Sequence, residues 1–277
     1  MKVSAAVLAA RYSVYALLVL GAGLTLVPLL WLAAATLKGP DDLFHHLFFP
    51  PVNRLTLVNF SDLFHKVDFL RYLVNSTFVS CTVVITQLFF SSLAGFALAK
   101  YEFKGKRAIM VLMLATMLIP GQVVLAPLYE LIYNLHLVDT YQGLIGPGIV
   151  SVFGIFLFRQ SILQVPDELL HAARIDGCSE FRAYWSVVMP VSRPMIGAFC
   201  LIAFLGAWNS FLWPQIILHH DERFTLPIAM NALMGTYQQE YGTLMAGTFL
   251  SIVPVVILFL ALQKEFVAGL TAGAVKG

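Results

Sequence analysis

The chain is poor in charge. Only 12% of its 277 residues are Asp, Glu, Lys or Arg, against roughly 25% in soluble domains. The charges are also unevenly placed, and six long stretches hold none: 12–37, 72–99, 108–129, 140–158, 194–220 and 241–263. An ordinary water-soluble core is thereby excluded, and lipid becomes the expected solvent. The same absence weakens the case for an ion-coupled transporter, which usually places ionisable side chains inside the membrane. Transporters that use backbone carbonyls at broken helices keep that alternative open. Cysteine is scarce too. Cys81, Cys178 and Cys200 follow no CxxC or metal-ligand spacing, so neither a disulfide framework nor a metal site is expected. A phosphate-binding loop is missing: the sole Gly-Lys pair, Gly105-Lys106, has no glycine five residues before it and is followed by Arg107. Hydrolysis of ATP by this chain is therefore not expected. The net charge of +2 is too small for a nucleic-acid footprint.

The six charge-free stretches are what the chain does have. A membrane span needs about 20 mostly apolar residues, with a range of about 17–25, and in lipid it must satisfy its own backbone groups. The expected fold is an all-α integral membrane protein with six transmembrane helices. Stretch 140–158 lies near the short limit and carries Gly143, Gly146, Pro147, Gly148 and Gly154. Stretch 12–37 follows a weakly basic start and contains Ala33-Ala34-Ala35, which imitates a signal cleavage site. Its length exceeds the roughly 7–15 residues of a signal-peptide apolar region, so it is expected to be retained.

Lys and Arg positions orient the helices. With the N-terminus inside, twelve fall in inner segments and five in outer ones, which places both termini in the cytoplasm. The outer segments are 38–71, 130–139 and 219–240. The first holds Pro40, Pro50 and Pro51, which oppose a regular helix, and Asn59 with Ser61 and Asp62 as possible caps. The expected organisation is an N-terminal helix with its outer loop over 1–71, a membrane bundle over 72–264, and a cytoplasmic tail over 265–277.

The longest inner segment, 159–193, reads as a short helix–turn–helix. Pro166 suits a first helical turn, and Asp167 and Glu168 suit the positive end of the helix dipole. Gly177 supplies a left-handed terminator and Ser179 an N-cap for a second helix through about Val188, which Pro190 should stop. Leu169, Ala172, Ala173 and Asp176 repeat at helical spacing. Ala172 and Ala173 should leave that face flat enough for another protein's groove, whereas a helix lying on the inner leaflet would favour Lys, Arg and large apolar side chains.

Four motifs in order carry a family resemblance: Pro120-Gly121-Gln122; Ala172-Ala173 with Asp176-Gly177 and Val187-Val188-Met189-Pro190; Trp208-Asn209 with Trp213-Pro214; and the terminal Gly269-Leu270-Thr271-Ala272-Gly273 run. From about Tyr72 onward the chain resembles the second permease subunit of carbohydrate-type, binding-protein-dependent ABC importers, with an importer type-1 transmembrane domain. The resemblance implies a prokaryotic cytoplasmic membrane, two ATP-binding subunits carrying ATP and Mg, a second homologous permease and an extracytoplasmic solute-binding protein. It implies no cofactor on this chain and no catalysis by it. It assigns ATPase docking to Glu168, His171, Ala172, Ala173, Asp176, Gly177 and Pro190. The family's glutamate at the start of the motif is His171 here, with Glu168 one turn earlier. A permease of the same superfamily for glycerol phosphate or another small solute fits the same motifs.

Polar uncharged residues within the spans are Gln87, Gln122, Asn209, Ser210 and Gln215. Interhelical hydrogen bonds are their ordinary use, worth roughly 0.6–2 kcal/mol. Trp208, Asn209 and Gln215 are the expected translocation-pathway residues, because Trp208 and Trp213 flank Asn209 with flat rings suited to a sugar. Tyr237, Gln238 and Gln239 are the expected contacts for the solute-binding protein.

Overall fold

A computed structural model describes residues 5–236 and 241–272. The helices are α1 (Ala5–Ala35), α2 (Val58–His65), α3 (Phe69–Lys100), α4 (Lys106–Thr116) and α5 (Leu125–Asn134). There follow α6 (Tyr141–Ile145), α7 (Val152–Ile162), α8 (Asp167–Ile175), α9 (Glu180–Ala183) and α10 (Met189–Val191). The chain closes with α11 (Arg193–Trp208), α12 (Leu212–Ile217), α13 (Leu226–Thr236) and α14 (Tyr241–Ala272).

Three helices are long and apolar enough to cross a membrane alone: Arg11–Ala35, Phe69–Lys100 and Tyr241–Gly269. The remaining candidates are bent pairs. Lys106–Thr116 meets Gly121–Asn134 at 93°, Tyr141–Gly148 meets Val152–Ile162 at 43°, and Glu180–Val191 meets Arg193–Trp208 at 82°. Six spans are counted only when each pair is one. The breaks sit where Pro120 and the Gly146-Pro147-Gly148 run interrupt the helical ladder. Stretch 194–220 is not a continuous helix either: α11 ends at Trp208, and α12 starts after three non-helical residues.

The chain divides into two compact units, Met1–Leu70 with Met230–Ile252, and Arg71–Ala229 with Val253–Gly277. The first unit also takes in Met230–Ile252, from inside the stretch 72–264 read from the sequence as one bundle. α14 continues through the expected start of the tail at 265 to Ala272.

In the first unit, α1 is exposed from Arg11 to Leu30. Beyond it Lys38 is fully buried, with Nζ donating to the carbonyls of His46 at 2.5 Å and Leu43 at 3.4 Å. Burial lowers its pKa, with Asp42 opposing the shift. Asn59 is not a helix cap. Its Nδ2 donates to Thr36 O at 2.9 Å and Lys38 O at 2.7 Å, so it clamps the chain leaving α1, while Leu57 takes the cap position of α2.

The second unit is built around α3, which touches two apolar cores. One gathers Val79, Ile132, Leu144, Ile145, Ile217 and Ile228. The other gathers Phe96, Phe158, Ile162, Leu170, Ala173, Tyr184 and Phe199. Residues 79 and 96 lie about 25 Å apart along a helix rising 1.5 Å per residue. Close packing of α7 depends on Gly154, where a Cβ would lie 2.6 Å from the Phe199 ring and 3.0 Å from Ser91 Cβ. Small residues at such crossings are typical of membrane bundles. The break between α6 and α7 frees backbone groups that lipid cannot satisfy. Gln87 Nε2 donates to Gly148 O at 2.7 Å, and Ser91 Oγ both donates to Ser151 O and accepts from Ser151 N at 3.1 Å.

Candidate functional site

The first candidate is the two-helix element between Val165 and Ser192. Asp167 and Glu168 occupy the first turn of α8. Lys100, at the end of α3, donates to Asp167 Oδ1 at 2.6 Å and to Val165 O at 2.5 Å. That hydrogen bond and the Lys100 charge lower the Asp167 pKa. Gly177 closes α8 at φ 78°. Cys178 N then donates to Ala173 O at 2.9 Å and Gly177 N to Arg174 O at 3.0 Å, the paired bonds of a Schellman terminator. Ser179 Oγ accepts from Arg182 N at 3.3 Å and caps α9. Arg174 bridges to Glu180 through Nε at 2.8 Å and Nη2 at 3.1 Å, and the Tyr101 hydroxyl donates to the same carboxylate. Below them Ser92 Oγ and Tyr184 Oη share a buried 2.7 Å hydrogen bond. Three side chains of the α3 end, Ser92, Lys100 and Tyr101, therefore grip this element.

The two adjacent alanines separate. Ala172 is exposed, but Ala173 is buried with Leu170 in the core, so Ala173 does not belong to an outer flat face. Glu168, His171, Asp176 and Gly177 are exposed beside Ala172. Pro190 does not stop the second helix, because a π turn over Tyr184–Val188 leads into α10 and the chain turns only at Ser192. The outward apolar groups are ones the sequence reading missed: Ile175 at 87% exposure, Trp185 at 58% and Phe181 at 56%. Their sequence signal was weak, since isolated exposed apolar residues are ordinary.

The second candidate is a cavity of about 350 Å³ beside α3, bordered by Val79, Val83, Gln87, Ser210, Trp213 and Thr225 among others. The expected pathway trio lies elsewhere. Trp208 is 4% exposed and stacks on Phe204 at 5.3 Å. Asn209 spends its amide on Leu205 O at 2.9 Å, where it caps the broken end of α11. Gln215 is exposed, and neither it nor Asn209 borders the cavity. Trp213 does border it, with Nε1 donating to Leu144 O at 3.2 Å. Tyr237, Gln238 and Gln239 lie outside the described residues.

Residues 88–271 match the family model described as the binding-protein-dependent transport system inner membrane component. The chain belongs to this family. Among its relatives, the arabinooligosaccharides transport system permease protein AraQ of Halalkalibacterium halodurans is 40% identical over 254 residues, 90% of this chain and 91% of the relative. The sn-glycerol-3-phosphate transport system permease protein UgpE of Shigella flexneri is 32% identical over 208 residues, covering 74% of each. A chain of a bacterial ABC transporter involved in import of the acidic polysaccharide alginate shares the fold at TM-score 0.83. It is 20% identical to this chain, with 96% of this chain and 99% of that one aligned. The protein is thus a permease, the non-catalytic membrane subunit of an ABC importer.

The permease fixes its 218–226 loop through a hub not foreseen from sequence, because its contacts span about 80 positions. Asp139 accepts from His219 N at 2.9 Å, from His220 N at 3.2 Å, from the His220 ring and from Arg223. Asn75 Nδ2, on α3, donates to Glu222 O at 2.9 Å and Phe224 O at 3.0 Å. Burial alone would raise the Asp139 pKa, but the His219 and His220 hydrogen bonds and the Arg223 charge bring it down to about 2. The folded value lies below the ordinary value of about 4. Its contribution is therefore full above about pH 4 and lost as pH falls through about 2. Asp139→Asn should open the loop at neutral pH, seen as faster tryptic cleavage after Arg223 in detergent. The native loop should stay protected from hydrogen exchange down to about pH 3, one unit above that pKa. Equal cleavage of both proteins would remove the hub's role.

Proposed function

We infer that this permease moves a sugar or oligosaccharide across the inner membrane, and that the α8–α9 element is the seat of a separate ATPase. The observation that carries the reading is the grip of Ser92, Lys100 and Tyr101 on that element. One face of the element is fastened to α3, and the other exposes Ile175, Phe181 and Trp185. The missing phosphate loop puts ATP and Mg on the partner. The charge bias supports a cytoplasmic position for this element and both termini. A second permease, two ATPase subunits and an extracytoplasmic binding protein complete the assembly, as the binding-protein-dependent family supports.

The mechanism follows from α3. One 32-residue helix bonds the docking element through Ser92, Lys100 and Tyr101 just beyond it. It borders the cavity with Val79, Val83 and Gln87, and it holds the 222–226 segment through Asn75 and Ser76. Closure of the ATPases displaces the docking element and takes α3 with it, shifting the balance between inward-open and outward-open states. The test is reconstitution. The complete importer in liposomes should accumulate oligosaccharide only with ATP and binding protein, and the permease alone should accumulate none under a proton or sodium gradient. Gradient-driven accumulation by the permease alone would replace this reading with ion-coupled transport.

A further inference from the structure

A second cleft, of about 1090 Å³, lies where α3 gives way to α4, and it shares no bordering residue with the cavity described above. It is built locally. α3 ends at Lys100, and the residues to Gly105, which takes φ 88°, turn the chain into α4. Lys106 Nζ folds back over this turn and donates to Tyr101 O at 2.9 Å and Glu102 Oε1 at 2.7 Å. Arg159, on α7, borders the same cleft, with Nε donating to Leu98 O at 3.3 Å.

The charged side chains at its border are Glu102, Lys106, Arg107 and Arg159, an excess of two positive charges. Glu102 is spent on Lys106. Among the described residues, Arg107 has no ion pair or hydrogen bond, and the terminal guanidinium nitrogens of Arg159 have none either. Unmatched cations around one cleft suit an anion that can take charge-assisted hydrogen bonds. The rest of the border is mainly apolar. Val111 and Leu112 follow Lys106 and Arg107 by about 7.5 Å on a helix rising 1.5 Å per residue, and both are exposed. α4 opens one of the bent pairs apolar enough to cross a membrane. The cations therefore stand at the membrane end of the cleft and the apolar groups on its hydrocarbon side. A soluble anion needs only the first of these; a phospholipid matches both, in that order.

We propose that this cleft binds an anionic phospholipid, with its phosphodiester between Arg107 and Arg159 and an acyl chain along Met110, Val111 and Leu112. Basic pockets between spanning helices are a recurrent seat for such headgroups. A zwitterionic lipid carries its own ammonium and gains less from the surplus charge. Lys100 and Tyr101, just before the cleft, bond Asp167 of α8 and Glu180 of α9. The bound lipid therefore lies at the joint between α3 and the docking element. This assignment holds whichever solute the permease carries.

The test places a photo-crosslinking amino acid at position 108, which is exposed and borders the cleft. The complete importer is held in nanodiscs of equal phosphatidylglycerol and phosphatidylcholine, and the adducts are identified by mass. Phosphatidylglycerol should be captured in preference by about 25-fold, roughly fivefold for each surplus cation. Arg107→Gln removes no internal bond, so the importer should assemble normally while the preference falls about fivefold; Arg107→Lys should retain most of it. Glu102→Gln frees Lys106 and should raise the preference. Lys104→Gln, on the same turn but not bordering the cleft, should change it less than about twofold, since a built site and not the general surface charge does the selecting. Inorganic phosphate in excess should leave the adducts in place. Equal capture of the two lipids would overturn the proposal, as would equal losses from Arg107→Gln and Lys104→Gln. Displacement by inorganic phosphate, or adducts on the ATPase or second permease in place of lipid, would overturn it too.

Discussion

Ala173→Glu is expected to abolish uptake by collapsing the docking element, with little folded permease left in the membrane. Ala173 is 7% exposed and packs in the core that contains Phe158, Leu170, Tyr184 and Phe199. A glutamate there adds bulk to a filled space and leaves a carboxylate without a partner. An uncompensated buried charge costs roughly 3–5 kcal/mol, a large share of the ~5–15 kcal/mol that holds a domain folded. Ala172→Glu is the paired control. Ala172 is exposed, so this variant should insert at native levels and lose ATPase binding alone. Quantitative blotting of membranes, followed by ATPase co-purification, separates the two outcomes. Equal membrane levels for both variants would contradict the burial of Ala173.

Gly177→Val should act through the backbone. A Cβ at Gly177 meets nothing within 4 Å, yet φ is +78°, a conformation a β-branched residue adopts only with strain. Forcing it costs about 1–3 kcal/mol, enough to depopulate the native turn roughly five- to 150-fold. The terminator bonds from Gly177 and Cys178 would be lost, and α9 would leave its pairing of Glu180 with Arg174. Binding-protein-stimulated ATP hydrolysis and uptake should fall together while insertion persists. Gly177→Asn, which tolerates the left-handed region, should retain most of both. Identical behaviour of the valine and asparagine variants would remove the strain argument.

The all-helical membrane character and the three long spans, Arg11–Ala35, Phe69–Lys100 and Tyr241–Gly269, were legible because lipid exclusion of charge is a property of composition. The ends of α8 and the start of α9 were legible too, since Asp167, Gly177 and Ser179 act through local backbone geometry. What stayed hidden depends on partners distant in sequence. Which of Ala172 and Ala173 faces inward follows from how Leu170 seats against Phe158 and Tyr184, and adjacency alone does not reveal it. Trp208 looked like a pathway residue from its neighbours, but stacking on Phe204 places it in the interior. The breaks after Thr116 and Trp208 interrupt runs that hydropathy reads as continuous. Their repair falls partly to polar residues such as Asn209, whose ordinary role as a hydrogen-bonding group in a span explains it better than a role in the pathway. Asp139 was one acidic residue in a short turn until the fold brought His219, His220 and Arg223 to it.

The central claim is that a separate motor sits on the outward face of the α8–α9 element. Ile175 is the most direct reporter, being 87% exposed on that face. A photo-crosslinking amino acid at position 175 in the complete importer should yield a covalent product with the ATPase subunit, with a yield that changes when ATP is bound. Crosslinks confined to lipid or to the second permease, unaffected by nucleotide, would contradict the account.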